Sequence, residues 1–141
     1  IDLCWRLRAR GRLLVCIPQS VVYHVGGATL KKENPQKTFL NFRNNLVMLY
    51  KNLPQTELAS VMRVRAVLDY VAALSFVLKG QISNALAVFR ARHAYHSLRS
   101  SFTAAREENL KKTCLSVIPE RTKNSILAQF YLHGKKFFSQ L

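Results

Sequence analysis

Acidic residues are scarce in this sequence. Only 7 of its 141 residues are Asp or Glu, against 22 Lys or Arg, so the net charge is +15 at pH 7. No acid occurs between Asp69 and Glu107. A chain this cationic repels itself unless an anionic partner is close, which favours nucleic acid or an acidic membrane surface over an ordinary solvated surface.

Cysteine is also rare, and its spacing carries no motif. Cys4, Cys16 and Cys114 are odd in number, lie far apart and form no C-x-x-C pair. This pattern speaks against a disulfide framework and against a zinc site. Reduced thiols in a cytosolic protein are the expectation.

A long uncharged apolar run is missing as well. Residues 57–78 are apolar overall, but Arg63, Arg65 and Asp69 interrupt them, and the uncharged remainder falls short of the ~20 residues that span a bilayer. Gly80 is predicted to end this helix, and a second helix is predicted over residues 82–98. Apolar faces flanked by cations suit helices lying in the plane of an anionic membrane; a helical hairpin packed on another domain is the alternative.

The start of the chain has neither an initiator Met nor a signal sequence. The pattern predicts a helix over residues 1–10 that ends at Gly11, then two short strands over residues 13–17 and 20–24. A helix and two strands cannot bury themselves alone. Residues 1–30 are therefore interpreted as the truncated edge of a domain that begins upstream, and the predicted fold class is α+β, mainly α.

These first residues carry a family resemblance. IDLCWRLRARG, followed by LVCIPQSVVYHVGGAT, resembles the end of the GT-A catalytic domain in family 2 glycosyltransferases, with its pattern D-L-x-x-R-x-x-x-x-G and a strand ending in His and small residues. The matching residues are Asp2, Leu3, Arg6, Gly11, Pro18, Val22, His24 and Gly27. Residues 41–54, NFRNNLVMLYKNLP, resemble the helix after the catalytic domain in rhamnosyltransferase-like members.

The resemblance implies transfer of a sugar from a nucleotide-sugar donor to a cell-surface polysaccharide or glycolipid. The catalytic base would belong to an acidic pair before Ile1, so the chain is expected to be inactive alone, with Asp2 supporting the missing base. A divalent metal, Mg²⁺ or Mn²⁺, would be bound by an upstream D-x-D segment and by His24. The residues placed near substrate are Arg6, Gly26, Gly27 and Arg43.

Each of these residues also has a simpler structural interpretation. An acid at a helix start is favoured by the helix dipole, and Arg6 lies one turn after Asp2, where the two side chains can pair. His24 beside two glycines is more often a hydrogen-bonded structural residue than a ligand. Gly26 and Gly27 suit an ordinary turn, and Arg43 suits a solvated surface.

The rest of the chain is predicted to be helical. Residues 31–54 are interpreted as a hinge and a helix whose stripe of Phe39, Phe42, Leu46 and Leu49 docks on the catalytic domain. Residues 55–99 form an amphipathic hairpin. Residues 100–141 form a polar connection and a last amphipathic helix from about residue 120, where Phe130, Phe137 and Phe138 suit an interfacial anchor.

The expected location is the cytoplasmic side of the cell membrane, bound peripherally to its anionic inner face. The alternative function is a basic helical module that binds nucleic acid or membrane and has no enzymatic role. Nucleic acid is the weaker partner of the two, because the sequence contains no helix-turn-helix, zinc-finger or RNA-recognition motif and its cations flank long apolar stripes.

Overall fold

The computed structural model describes residues 1–23, 34–115, 117–119, 121, 126–131, 133–135 and 137. Its regular elements are helices: α1 Asp2–Ala9, α2 Pro35–Asn52, α3 Gln55–Leu78, α4 Ile82–Leu98, a 3-10 turn Arg99–Phe102, α5 Thr103–Lys111 and α6 Ile126–Tyr131.

The predicted strands are absent from this part of the chain, so the α+β fold class is wrong: the regular structure of the described residues is entirely helical. Residues 13–17 have no regular structure and lie on the surface, with Leu13 76% and Val15 71% exposed. Residues 20–23 are irregular and exposed too, and His24 lies outside the described residues. An apolar run becomes a strand only where another strand supplies hydrogen-bond partners, and the described residues supply none.

Several helix ends fall where the sequence predicts them. Gly11 and Gly80 adopt positive φ angles of 75° and 72° just after α1 and α3, a conformation that costs glycine little. Asn34 caps α2, because its side chain accepts a hydrogen bond from the Gln36 amide at 2.8 Å. Helix α2 ends at Asn52, shortly before Pro54.

The core lies where α2 crosses the hairpin of α3 and α4. Ala73, Ala85 and Val88 form its centre, and Phe42 and Phe76 pack against them. The Thr38 hydroxyl donates a buried 2.7 Å hydrogen bond to Asn84, which joins α2 to α4. Phe42 belongs to the stripe that was expected to dock on a catalytic domain, and it packs inside this bundle.

An ion cluster lies between α3 and α4. Asp69 is 1% exposed, and its two carboxylate oxygens lie 2.7 Å from Arg65 Nε and 2.8 Å from Arg92 NH1. Arg92 donates a hydrogen bond to Asp69, whereas Arg65 Nε forms no hydrogen bond with the carboxylate, so that contact is an ion pair alone. The Arg65 guanidinium also lies over the Phe42 ring, 5.3 Å from its centroid.

The opposite side of the hairpin is apolar and exposed, and we call it the outer apolar face. Its members are Val64, Val67, Tyr70, Val71, Leu74, Val77 and Leu78 on α3, and Ile82, Leu86 and Phe89 on α4. The rings of Tyr70 and Phe89, 5.8 Å apart, join the two helices across this face.

The structure describes one part of the C-terminal helix that the sequence predicts. Helix α6 covers Ile126–Tyr131, and residue 120, where the helix was expected to begin, lies outside the described residues. Phe130 and Phe137 are exposed, and Phe138 is also outside. In the part of the chain that the structure describes, no helix combines the length and the apolarity needed to cross a membrane.

Candidate functional site

Asp2 ties the start of α1 to the end of α2. Its carboxylate accepts hydrogen bonds from Arg6 Nε at 3.1 Å, Lys51 Nζ at 3.1 Å and Asn52 Nδ2 at 2.7 Å. Asn52 also donates to the Met48 carbonyl at 2.8 Å, which fixes its amide at the last turn of α2. The pairing of Asp2 with Arg6, expected from their four-residue spacing, is confirmed.

These donors change the acidity of Asp2. Partial burial raises the pKa of the carboxyl, but hydrogen bonds from Asn52 and Lys51 and the charges of Lys51 and Arg6 lower it by more. The net result is a pKa below the ordinary value of 3.8. A carboxylate with a lowered pKa is a weak proton acceptor, so this geometry suits a positioning role for Asp2 better than general-base catalysis.

The other end of α1 is held by α5 and the residues after it. The carbonyl of Ala9 accepts hydrogen bonds from the amides of Cys114 and Leu115 at 2.9 and 3.1 Å. Arg10 NH2 donates to Asn109 Oδ1 at 3.2 Å. Helix α1 is therefore fixed at both ends, although only Ala9 within it is buried.

Arg106 on α5 binds the end of α2 from the other side. It is 5% exposed and donates to the carbonyls of Tyr50 and Leu53, the latter at 2.7 Å, and to Gln55 Oε1 at 3.0 Å. The last carbonyls of a helix have no partner within it, and a cation there is also favoured by the helix dipole. Arg106 thus satisfies the C-terminal end of α2 and fixes the link to α3.

A cleft of about 410 Å³ opens beside α1. The residues that line it are Ile1, Cys4, Trp5, Arg8, Leu14, Ile118 and Arg121. The described residues of its walls are mainly apolar, and Arg121 forms an ion pair with Glu57. The cleft suits an apolar group with a cationic rim, and the described residues that line it include no carboxylate or imidazole that could act as a base.

The predicted site residues do not all meet. Asp2 and Arg6 lie together, whereas Arg43 is eight residues before Lys51 on α2, about 12 Å along the helix axis. Arg43 instead donates to the neighbouring Asn44 at 2.9 Å and lies over the Phe39 ring. His24, Gly26 and Gly27 lie outside the described residues.

The described residues do not form a metal site. They contain no group of three or more His, Cys, Asp or Glu side chains that could hold a metal ion. Asp2, the acid nearest the predicted site, already binds two cationic side chains, which oppose a divalent cation there.

Sequence reasoning missed the partners of Asp2 and the role of Arg106. Lys51 and Asn52 lie about fifty residues after Asp2 in the sequence, and Arg106 lies about fifty residues after the end of α2. No local spacing pattern therefore predicts these contacts. The one usable signal is Pro54, which marks the helix end where unpaired carbonyls collect.

No family model, curated protein or solved structure matches this chain. The relation to family 2 glycosyltransferases therefore stays a prediction that rests on the motif residues between Asp2 and Gly27 and on residues 41–54.

Proposed function

We propose that this chain is the C-terminal part of a family 2 glycosyltransferase of the rhamnosyltransferase-like kind. The enzyme would move a sugar from a nucleotide-sugar donor to a cell-surface polysaccharide or a lipid-linked acceptor. It would work on the cytoplasmic side of the cell membrane, bound peripherally to the anionic inner face.

The observation that carries this proposal is the bond between two segments that both resemble the family. Helix α1 contains the D-L-x-x-R pattern, and α2 contains most of residues 41–54. Asp2 of the first segment binds Lys51 and Asn52 of the second. This contact supports the interpretation that α2 is the helix after the catalytic domain and that it holds the last motif of that domain, in α1, in place.

The missing parts of the reaction would come from upstream residues. There the base would deprotonate the acceptor hydroxyl, and acids would bind Mg²⁺ or Mn²⁺ together with His24. Within this chain, Asp2, Lys51 and Asn52 would hold α1 in register so that the acid before Ile1 faces the acceptor. Arg6, Gly26, Gly27 and Arg43 remain the candidates for contact with substrate.

The test is an assay of nucleotide-sugar turnover on two proteins: the 141-residue chain and the chain extended to its natural start. We expect turnover from the extended protein only, with a strong loss in His24→Ala. An extended protein without the D-x-D segment and the acidic pair would refute the proposal, whereas turnover by the short chain would refute only its expected inactivity. Near-normal turnover of His24→Ala at saturating metal would refute only the role of His24.

The alternative, a membrane-binding module without enzymatic activity, is favoured by the outer apolar face. A membrane-binding module accounts for that face without any catalytic residue, and the face is also compatible with the proposed glycosyltransferase. Binding of the chain to DNA and to anionic vesicles, each measured at several salt concentrations, distinguishes a nucleic-acid-binding module from a membrane-binding one. Because the cations lie near the apolar face, we expect the chain to bind vesicles more tightly than DNA.

A further inference from the structure

The outer apolar face is larger than chance exposure explains. On α3 its residues recur at three- and four-residue steps, and the Tyr70–Phe89 contact continues it onto α4. Ten apolar side chains at about half exposure amount to roughly 1,000 Å², above the ~300–600 Å² of the largest patch on an ordinary monomer. A surface of this size requires an apolar partner.

Over residues 64–78 of α3 the charged side chains face the interior of the bundle and many apolar side chains face outward, an inside-out arrangement. Between residues 64 and 78 the only charged side chains are Arg65 and Asp69, and both turn inward to the ion cluster with Arg92. Burial of ions costs free energy, and exposure of apolar groups to water forgoes stabilisation. A helix that does both is arranged for an apolar medium on its outer side.

Cations mark the borders of this face. Arg63 lies just before it and Lys79 just after it, and both are exposed. Phe89, Arg90 and His93 of α4 line a shallow groove beside the face together with Phe39 of α2. The Arg90 guanidinium lies over the Phe39 ring, 5.8 Å from its centroid, and has no carboxylate partner among the described residues. Cations at the border of an apolar surface can reach lipid phosphates while the apolar side chains enter the membrane.

The same charges decide between the possible occupants. A second copy of the chain would bring another +15 and the same border cations, so self-association by this face meets repulsion. An anionic bilayer supplies both the apolar layer and the opposite charge. Residues 64–78 extend about 22 Å as a helix, short of the ~30 Å hydrocarbon core, so the helix would lie in the membrane plane.

We propose that the outer apolar face of the α3–α4 hairpin is the surface that binds an anionic lipid bilayer. Its apolar side chains enter the acyl boundary, while Arg63, Lys79 and Arg90 meet the phosphates. The inference deepens the membrane part of the proposed function and rests on that part alone.

The test is flotation of the 141-residue chain with vesicles of phosphatidylserine and phosphatidylcholine. The test variant is V67S/V71S/L74S, and the matched control is L13S/V15S/V21S, which replaces three exposed apolar residues outside the face. We expect the test variant to bind roughly tenfold more weakly or worse, because three apolar side chains leave the interface, and the control to bind like the parent chain. Equal binding of all three proteins would overturn the proposal.

A second variant keeps the test independent of folding. Arg63→Glu with Lys79→Glu changes only exposed border residues, and it should lose binding to anionic vesicles while circular dichroism stays unchanged. In about 1 M salt, where screening acts within ~3 Å, the parent chain should bind more weakly but still measurably. Unchanged binding of this variant would contradict the border role and overturn the proposal.

Depth and self-association complete the design. Leu74→Trp in a Trp5→Phe background should be quenched by lipids brominated on the acyl chain, and Val15→Trp should not. If the parent chain sediments as a dimer that V67S/V71S/L74S dissociates, the occupant is a second copy and the proposal is wrong. None of these measurements involves a sugar donor, so failure here leaves the glycosyltransferase assignment to its own assay.

Discussion

At the scale of single residues, the two acids that matter most are Asp2 and Asp69, and they differ in burial. Asp2 is half-buried and binds α2, whereas Asp69 is enclosed between two arginines. We therefore expect the carboxylate of Asp2 to contribute modestly to stability and that of Asp69 to contribute much more.

Replacement of Asp2 by Asn should loosen α1. At pH 7 we expect a loss of about 0.5–1 kcal/mol, since the ion pairs are partly exposed. Because the folded-state pKa of Asp2 is lowered, this contribution is present above the ordinary value of 3.8 and disappears as pH falls through the folded pKa. The parent chain and the variant should thus converge in acid. Emission of Trp5, the only tryptophan, reports the position of α1.

Glu107→Gln is the control for Asp2→Asn. It removes the same charge from an exposed acid that has no ion-pair partner in the described part of the chain. Its Trp5 emission should match that of the parent at every pH. A difference between parent and Asp2→Asn that persists in acid would show that the carboxylate charge is not what holds α1.

Replacement of Asp69 by Asn should be far more damaging. It leaves Arg65 and Arg92 close together without a counter-charge, and loss of one partner from a buried ion cluster costs about 3–5 kcal/mol. Unfolding in urea, followed by circular dichroism, measures the loss. The combined variant R65M/D69L/R92M removes all the charges and should stay close to the parent in stability, so an equally unstable combined variant would contradict this explanation.

Residue pairing could be predicted from the sequence only at short range. The Asp2–Arg6 pair follows from a spacing of four, and Asp69 with Arg65 has the same spacing in reverse. Arg92, Lys51 and Asn52 come from other helices, and nothing local shows which helix faces which. For that reason Asp69 looked like an interruption of an apolar helix, although its charge is buried.

At the scale of helices, the glycine that ends α3 offers a direct test of local backbone strain. Gly80 has a φ of 72°, and no atom lies within 4 Å of the position where a Cβ would stand. Gly80→Ala should therefore lower stability by about 1–2 kcal/mol through the left-handed backbone alone. Thermal unfolding measures the loss.

Gly80→Asn separates this explanation from a packing effect. Asn adopts the left-handed conformation more readily than Ala, so its cost should be smaller although its side chain is larger. The reverse order of stability would indicate a steric cause.

Helices were easier to predict than strands for a physical reason. A helix satisfies its hydrogen bonds within one segment, so the periodic residues of α2 and the stops at Gly11 and Gly80 were sufficient. A strand needs a partner segment, and the apolar residues 13–17 do not carry that information. The inside-out arrangement of α3 was equally hidden, because the sequence pattern does not say which side of the helix faces water.

At the scale of the whole molecule, the excess of cations should weaken the fold in dilute buffer. With +15 and few acids to pair with, self-repulsion outweighs the described ion pairs. The thermal midpoint should therefore rise between about 0.02 and 0.15 M NaCl, as the screening length shortens to ~8 Å. An equal osmolality of sucrose should not reproduce the salt effect within this range, and a falling midpoint would show that ion pairs dominate.

The last turn of α2 has a consequence for how the molecule opens. Residues 50–53 are bound on one side by Asp2 of α1 and on the other by Arg106 and Asn109 of α5. If α5 detaches, the carbonyls of the shared turn lose the donors Arg106 and Asn109, and the turn then holds α1 less firmly. The two helices should therefore form one cooperative unit of local unfolding, visible as matched rates of amide hydrogen exchange that Arg106→Met accelerates in both.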